Sequence, residues 1–161
     1  MLIALFVAHG LCNLTDAFRP ASIERKDDAP IISHLKVDEF FKIVGLDPEL
    51  FETCELEAGD ENFCCTPKPG PDRLDCPGAI SAWDDLAENS YIHVNGGQCI
   101  TATNKRCRAS VCALAGDLKV HVNEIIGGMW NPLSIKCVLG GKGGILGNED
   151  LKFFIEMGTP Q

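Results

Sequence analysis

Nine cysteines stand among 161 residues, and no other residue type is placed so well to do chemistry. Cys12 falls in an apolar N-terminal run. The other eight are Cys54, Cys64, Cys65, Cys76, Cys99, Cys107, Cys112 and Cys137. An even set in a short chain fits four disulfides, with about a hundred pairings left open by spacing alone. A zinc site would gather ligands as CxxC or as a close histidine pair to build its tetrahedron. The chain contains neither spacing. Oxidation to disulfides is therefore the chemistry expected of these residues, and it implies an oxidising compartment. Cys64 and Cys65 are adjacent, and a bond between neighbours is strained. The doublet is expected to tie its loop to two different places.

Other reactive residues stand apart. His34 lies in a leading segment, His93 on an expected strand and His121 at the start of an expected helix. Asp84 and Asp85 are neighbours on a helix and point in different directions, so they make no acid/base pair. No GxSxG, HExxH or P-loop occurs, and the GGKGG around Lys142 lacks the Walker spacing and its Ser/Thr. With no nucleophile beside a base, no carboxylate pair and no open metal site, the chain reads as a non-enzyme without a cofactor. A small secreted hydrolase ranks third among the functions considered. The formal charge is −9, and residues 18–76 hold most of it, with 7 basic and 14 acidic side chains against 7 and 8 in 77–161. Neither part has the basic stripe that nucleic acid requires, so no nucleic-acid partner is expected.

The elements that must position the cysteines follow from pattern. MLIALFVAHGLC is apolar but falls short of the about 20 residues that span a bilayer. It reads as the core of a signal peptide over 1–17, cut between Ala17 and Phe18 after the small residues of Thr15-Asp16-Ala17, although a charged start is missing. Residues 18–53 read as an acidic leader with one short helix. Within it 18–33 is a solvated linker carrying the dibasic pair Arg25-Lys26. Leu35 to Val44 presents one apolar helical face, ended by Gly45, and Asp47-Pro48 can start a further turn. Three prolines and two glycines in 54–76 argue against regular structure there.

The cysteine-rich domain is placed at 54–161, with its core at 76–158. Asp75 and Pro77 start a helix whose apolar face holds Ile80, Trp83 and Leu86. Tyr91-Ile92-His93-Val94 reads as a strand turned by Asn95-Gly96-Gly97 onto a partner over 98–103. A third strand follows over 108–114. Leu118, Val120 and Val122 alternate as in a strand, but the longer helical count favours a helix over 120–131 stopped by Pro132. Gly140 to Gly144 reads as an open loop around Lys142. A last hairpin joins Ile145-Leu146 to 151–157 through Gly147-Asn148-Glu149-Asp150. The resulting class is α+β: a disulfide-stapled antiparallel sheet covered on one face by two helices. Trp83, Trp130 and Tyr91 are expected on core faces. The leader has no cysteine, so removing 18–53 is expected to leave a folded chain. Removing residues through Cys65 is not, because the five cysteines from Cys76 onward cannot all pair among themselves.

Gly97-Gln98-Cys99-Ile100, Val111-Cys112-Ala113-Leu114, Ile125-Ile126 leading toward Cys137, and Leu151-Lys152-Phe153-Phe154-Ile155 together carry a resemblance over about 76–158. The order resembles the killer-toxin-like group of small secreted fungal effectors, which includes the virus-encoded killer toxin of smut fungi. Necrosis-inducing extracellular effectors of plant-pathogenic fungi are similar in outline. The resemblance implies an antiparallel sheet under two helices. It also implies a secreted virulence protein that binds an extracellular host or competitor target. Two departures stand out: Cys137 is alone where the toxin has paired cysteines, and 18–75 has no counterpart. The toxin's cation-channel blocking is not carried over to Lys142 or any other residue. A binder of carbohydrate or cell wall ranks second, because the large aromatics are expected inside. A monomer without a stable membrane span is expected.

Overall fold

Every residue of one strand, Cys107 to Ala113, is buried, because that strand lies inside a sheet covered on both faces. The computed structural model describes residues 29–45, 63–148 and 150–161. Ala17, Phe18, Arg25-Lys26, Asp47-Pro48 and Cys54 lie outside the described residues. The described elements are β1 (Ile31–Lys36), α1 (Val37–Val44), β2 (Phe63–Pro69), α2 (Cys76–Leu86), β3 (Tyr91–Val94), β4 (Gln98–Asn104), β5 (Cys107–Ala113), β6 (Leu118–His121), α3 (Val122–Gly128), helical turns over Met129–Cys137 and Val138–Gly140, β7 (Lys142–Gly147) and β8 (Phe153–Gly158). Six strands pair in the order β1-β4-β5-β8-β7-β2, all antiparallel, while β3 and β6 form a separate ribbon. The architecture is a disulfide-stapled α+β fold.

Strand alternation divides the large sheet into two faces. On one, Ile100, Ala102, Ala109, Val111, Ile155 and Met157 join Ala79, Ile80 and Trp83 of α2, Ile125 of α3, and Met129 and Leu133 of the following turns. Trp83 is fully buried, and its Nε1 has no hydrogen-bond partner among the described residues. The other face carries α1. Phe40, Phe41 and Val44 cover Cys99, Cys112, Ile145 and Phe154, with Phe154 5.8 Å from Phe40 and 5.5 Å from Phe41 between ring centroids. The sheet is thus covered on both sides, by α2 and α3 on the first face and by α1 on the second, rather than on one face by two helices. The helix foreseen over Leu35 to Val44 is α1, closed by Gly45 in the left-handed region. Residues ahead of it add β1 at the sheet edge, so 31–44 belongs to the folded body.

Buried polar groups sit on this second face. Arg108 donates from Nη2 to Glu156 Oε1 (2.7 Å) and from Nε to Oε2 (3.2 Å), and the Ser110 hydroxyl donates to Oε2 (3.0 Å). Thr101 pairs its hydroxyl with that of Ser33. The Arg108 guanidinium also lies over the Phe40 ring at 5.5 Å. A buried charge persists when it is paired and hydrogen-bonded in this way.

Several expectations change. Tyr91–Val94 does not form a hairpin with β4. At Asn95-Gly96-Gly97 the chain leaves the ribbon for the large sheet, with Gly97 at φ 74° and Gly96 N–H donating to the Asp117 carboxylate (2.9 Å). β3 pairs instead with β6, from Tyr91↔His121 to Val94↔Leu118. The alternation at Leu118 and Val120 is a true strand, and the helical period begins only at Val122. Pro132 does not stop the helical turns, which run on to Cys137. It breaks them locally, with Asn131 extended at φ −138°, as a residue before proline prefers. Lys142 lies at the start of β7 rather than in an open loop, because Gly144 lets that strand approach Cys137 and Leu133. Phe63–Pro69 is a strand despite its prolines, which the outer position of β2 tolerates. Asp75 precedes α2 without a side-chain cap, its carboxylate accepting the Arg106 N–H (3.1 Å) instead.

Candidate functional site

Among the described residues three disulfides set the frame on which any site must sit. Cys76–Cys107 ties the first turn of α2 to the start of β5. Cys99–Cys112 joins directly opposed residues of β4 and β5 beneath α1. Cys65–Cys137 ties β2 to the turns after α3 across 72 residues. Cys64 is disulfide-bonded as well. Cys54 lies outside the described residues. The described cysteines are all disulfide-bonded and serve to position elements.

The side chains able to recognise a ligand converge elsewhere, on the β3–β6 ribbon. Ile92 and Val94 of β3 and Val120 of β6 point into the core, and this anchors the ribbon. Alternation then turns Tyr91, His93, Lys119 and His121 outward. Register sets Tyr91 opposite His121 and His93 opposite Lys119. The Lys119 ammonium lies 4.7 Å from the Tyr91 ring centroid, and the His121 ring meets Tyr91 edge-on at 5.3 Å. His121 Nδ1 accepts the Asn123 N–H (3.2 Å) and so caps α3, while its Nε2 has no partner among the described residues. Glu88 holds Tyr91 by two backbone hydrogen bonds, and Glu124 sits in the first turn of α3. The cluster offers an aromatic ring, an ammonium and two imidazoles on one surface. Such a set can meet acidic or hydroxyl-bearing groups through hydrogen bonds and ring contact.

The sequence places His93 and His121 on separate elements, and only the β3–β6 pairing brings them together. The signal is the Leu118/Val120 alternation, which the longer helical count outweighs in the sequence: read as a strand, it puts Lys119 and His121 on one outward face. His34 is exposed on β1, and Asp84 and Asp85 are exposed on α2. The core placement of two aromatics is overturned. Tyr91 is 38% and Trp130 44% exposed, whereas Trp83 is buried. Tyr91 takes an outward strand position, and Trp130 follows Met129 by one position, which turns it off the buried stripe of Val122, Ile125 and Met129. Ile135 and Leu139 are exposed in the same stretch. Among the described residues no group of three His, Cys, Asp or Glu could hold a metal ion, and no helix is long and apolar enough to cross a membrane. No protein-family model, no curated protein and no solved structure matches this chain.

Proposed function

We propose that this chain is a secreted, cysteine-rich effector or toxin-like protein that binds a host or competitor target outside the cell, using the outer face of the β3–β6 ribbon. The observation that carries this reading is the convergence of Tyr91, His93, Lys119 and His121 on one outward surface of a cross-linked frame. Three disulfides fit an oxidising compartment. The resemblance of 76–158 to the killer-toxin-like group points the same way. The target presents acidic or hydroxyl groups to the ribbon, and the protein acts as a monomer.

The test uses the fluorescently labelled, oxidised chain on intact plant and fungal cells. Saturable labelling of one cell type is expected, weakened roughly tenfold or more by Tyr91→Ala with Lys119→Glu, as loss of a central aromatic and a charge usually brings. Equal labelling by the double variant would remove the ribbon from the reading, and labelling of neither cell type would remove the reading itself. In culture filtrate the chain is expected to begin at or near Phe18, as N-terminal sequencing would show.

A second reading, binding to carbohydrate or cell wall, gains from the exposure of Tyr91 and Trp130, since surface aromatics stack on sugar rings. Retention on chitin or glucan beads, lost in Trp130→Ala, would favour it over a protein target.

A further inference from the structure

A pocket of about 320 Å³ opens on the second face of the sheet, away from the β3–β6 ribbon. Its size falls at the lower end of ligand sites. Val44 at the end of α1, Thr66 on β2, and Thr159 and Pro160 after β8 form its walls, and Arg108 and Glu156 line it from the sheet. The Arg108 side chain is 8% and the Glu156 side chain 3% exposed.

The hydrogen bonds of this pair are unevenly spent. Both Glu156 oxygens are engaged, by Arg108 Nη2, by Arg108 Nε and by the Ser110 hydroxyl. Arg108 uses Nε and Nη2, but no described residue accepts from Nη1, and that nitrogen is not sealed from the surface. Arg108 Nη1 thus keeps its donors for whatever enters the pocket, while the rest of the guanidinium is fixed by Glu156. The Thr66 hydroxyl has no hydrogen-bond partner among the described residues, and the Thr159 hydroxyl makes one contact, to Pro69 O at 3.4 Å. The pocket therefore seeks acceptors. Glu156 cancels the charge of Arg108 at close range, so an uncharged oxygen is favoured over an anion, which would meet the carboxylate as well as the guanidinium. Val44 and Pro160 add apolar walls that suit C–H surface.

We propose that this pocket binds a neutral, hydroxyl-bearing ligand of about one sugar unit, with a ligand oxygen accepting from Arg108 Nη1 and the ring's C–H face against Val44 and Pro160. This site is independent of the ribbon, and either can fail without the other.

The experiment is an amide NMR titration of the full oxidised chain with glucose, N-acetylglucosamine and sodium glucuronate. The neutral sugars are expected to give saturable shifts at Gly143, Gly158 and Thr159, with glucuronate several-fold weaker. Thr159→Trp, at an exposed position, is expected to fill the pocket and abolish the shifts while leaving the unfolding transition in place. Arg108→Lys, which removes the fork geometry, is expected to weaken binding about tenfold. Absence of saturable shifts with both neutral sugars, glucuronate binding as tightly as either, or undiminished binding by Thr159→Trp would overturn the proposal.

Discussion

At the residue scale the Arg108–Glu156 pair is the most consequential feature of the second face. Gly158 lies directly opposite Arg108 across β5 and β8. A Cβ there would fall onto the Glu156 carboxylate and within 2.9 Å of Arg108 Nη2. Gly158→Ala is therefore expected to push the two side-chain ends aside and to destabilise the chain, by less than the about 3–5 kcal/mol lost when one partner of a buried pair is removed. Arg108→Met should cost that full amount, because Glu156 would stay buried with only Ser110 to satisfy it. The double variant Arg108→Met, Glu156→Leu is expected to recover most of that loss, since well-packed apolar residues often replace a buried pair without penalty. Denaturant unfolding of the three variants checks this. A double variant as unstable as Arg108→Met would mean that packing around the site, and not charge burial, sets the loss.

At the element scale β1 and α1 matter more than composition suggests. Val37 N–H donates to Gly97 O (2.9 Å), and the six residues of β1 pair with β4 from Ile31↔Thr103 to Lys36↔Gln98. Phe40 and Phe41 are both buried. Burying one such ring contributes about 1.5–3 kcal/mol. Removing 18–45 would expose the Cys99–Cys112 layer and Phe154, and free the edge of β4 for pairing with other chains. The expectation that 18–53 can be removed is accordingly replaced. The truncated chain should aggregate or lose its near-ultraviolet dichroism, measured against the intact chain by size-exclusion chromatography and circular dichroism. Phe40→Ala, a milder probe of the same contact, should cost about 3–5 kcal/mol. A truncated chain that stayed monomeric with an unchanged melting transition would show α1 to be an accessory.

At the scale of the whole molecule the bridges differ in what they restrain. They close 72, 31 and 13 residues for Cys65–Cys137, Cys76–Cys107 and Cys99–Cys112. Chain-entropy arguments assign about 4.4, 3.7 and 2.9 kcal/mol to loops of these lengths. Paired Cys→Ala variants are expected to lose stability in that order, with the Cys65/Cys137 variant melting lowest. That bridge also holds β2 against the turns after α3, so a chain starting at residue 66 should melt below the intact one. Thermal unfolding of the three paired variants under oxidising conditions checks the ranking. A reversed order would place the stabilisation in native packing around Cys99 and Cys112.

Local pattern alone determined much of this protein. The cysteine count and the absence of metal-ligand spacing led to a disulfide-stapled α+β class, because cross-linking chemistry is read from residue type. The periods over Leu35–Val44 and from Cys76 led to α1 and α2, because an amphipathic face is written in spacing. Tertiary structure decided the rest. Whether Leu118–His121 is strand or helix depends on β3 offering edge hydrogen bonds, and β3 is distant in sequence, with Tyr91 paired to His121 and Val94 to Leu118. Gly143 and Gly144 lie in a strand because β2 and β8 pair with it on either side, and Gly144 has room only for a hydrogen against Leu133 and Cys137. The ribbon surface and the Arg108 pocket have the same origin. Each gathers residues distant in sequence, and only the register of paired strands sets them side by side.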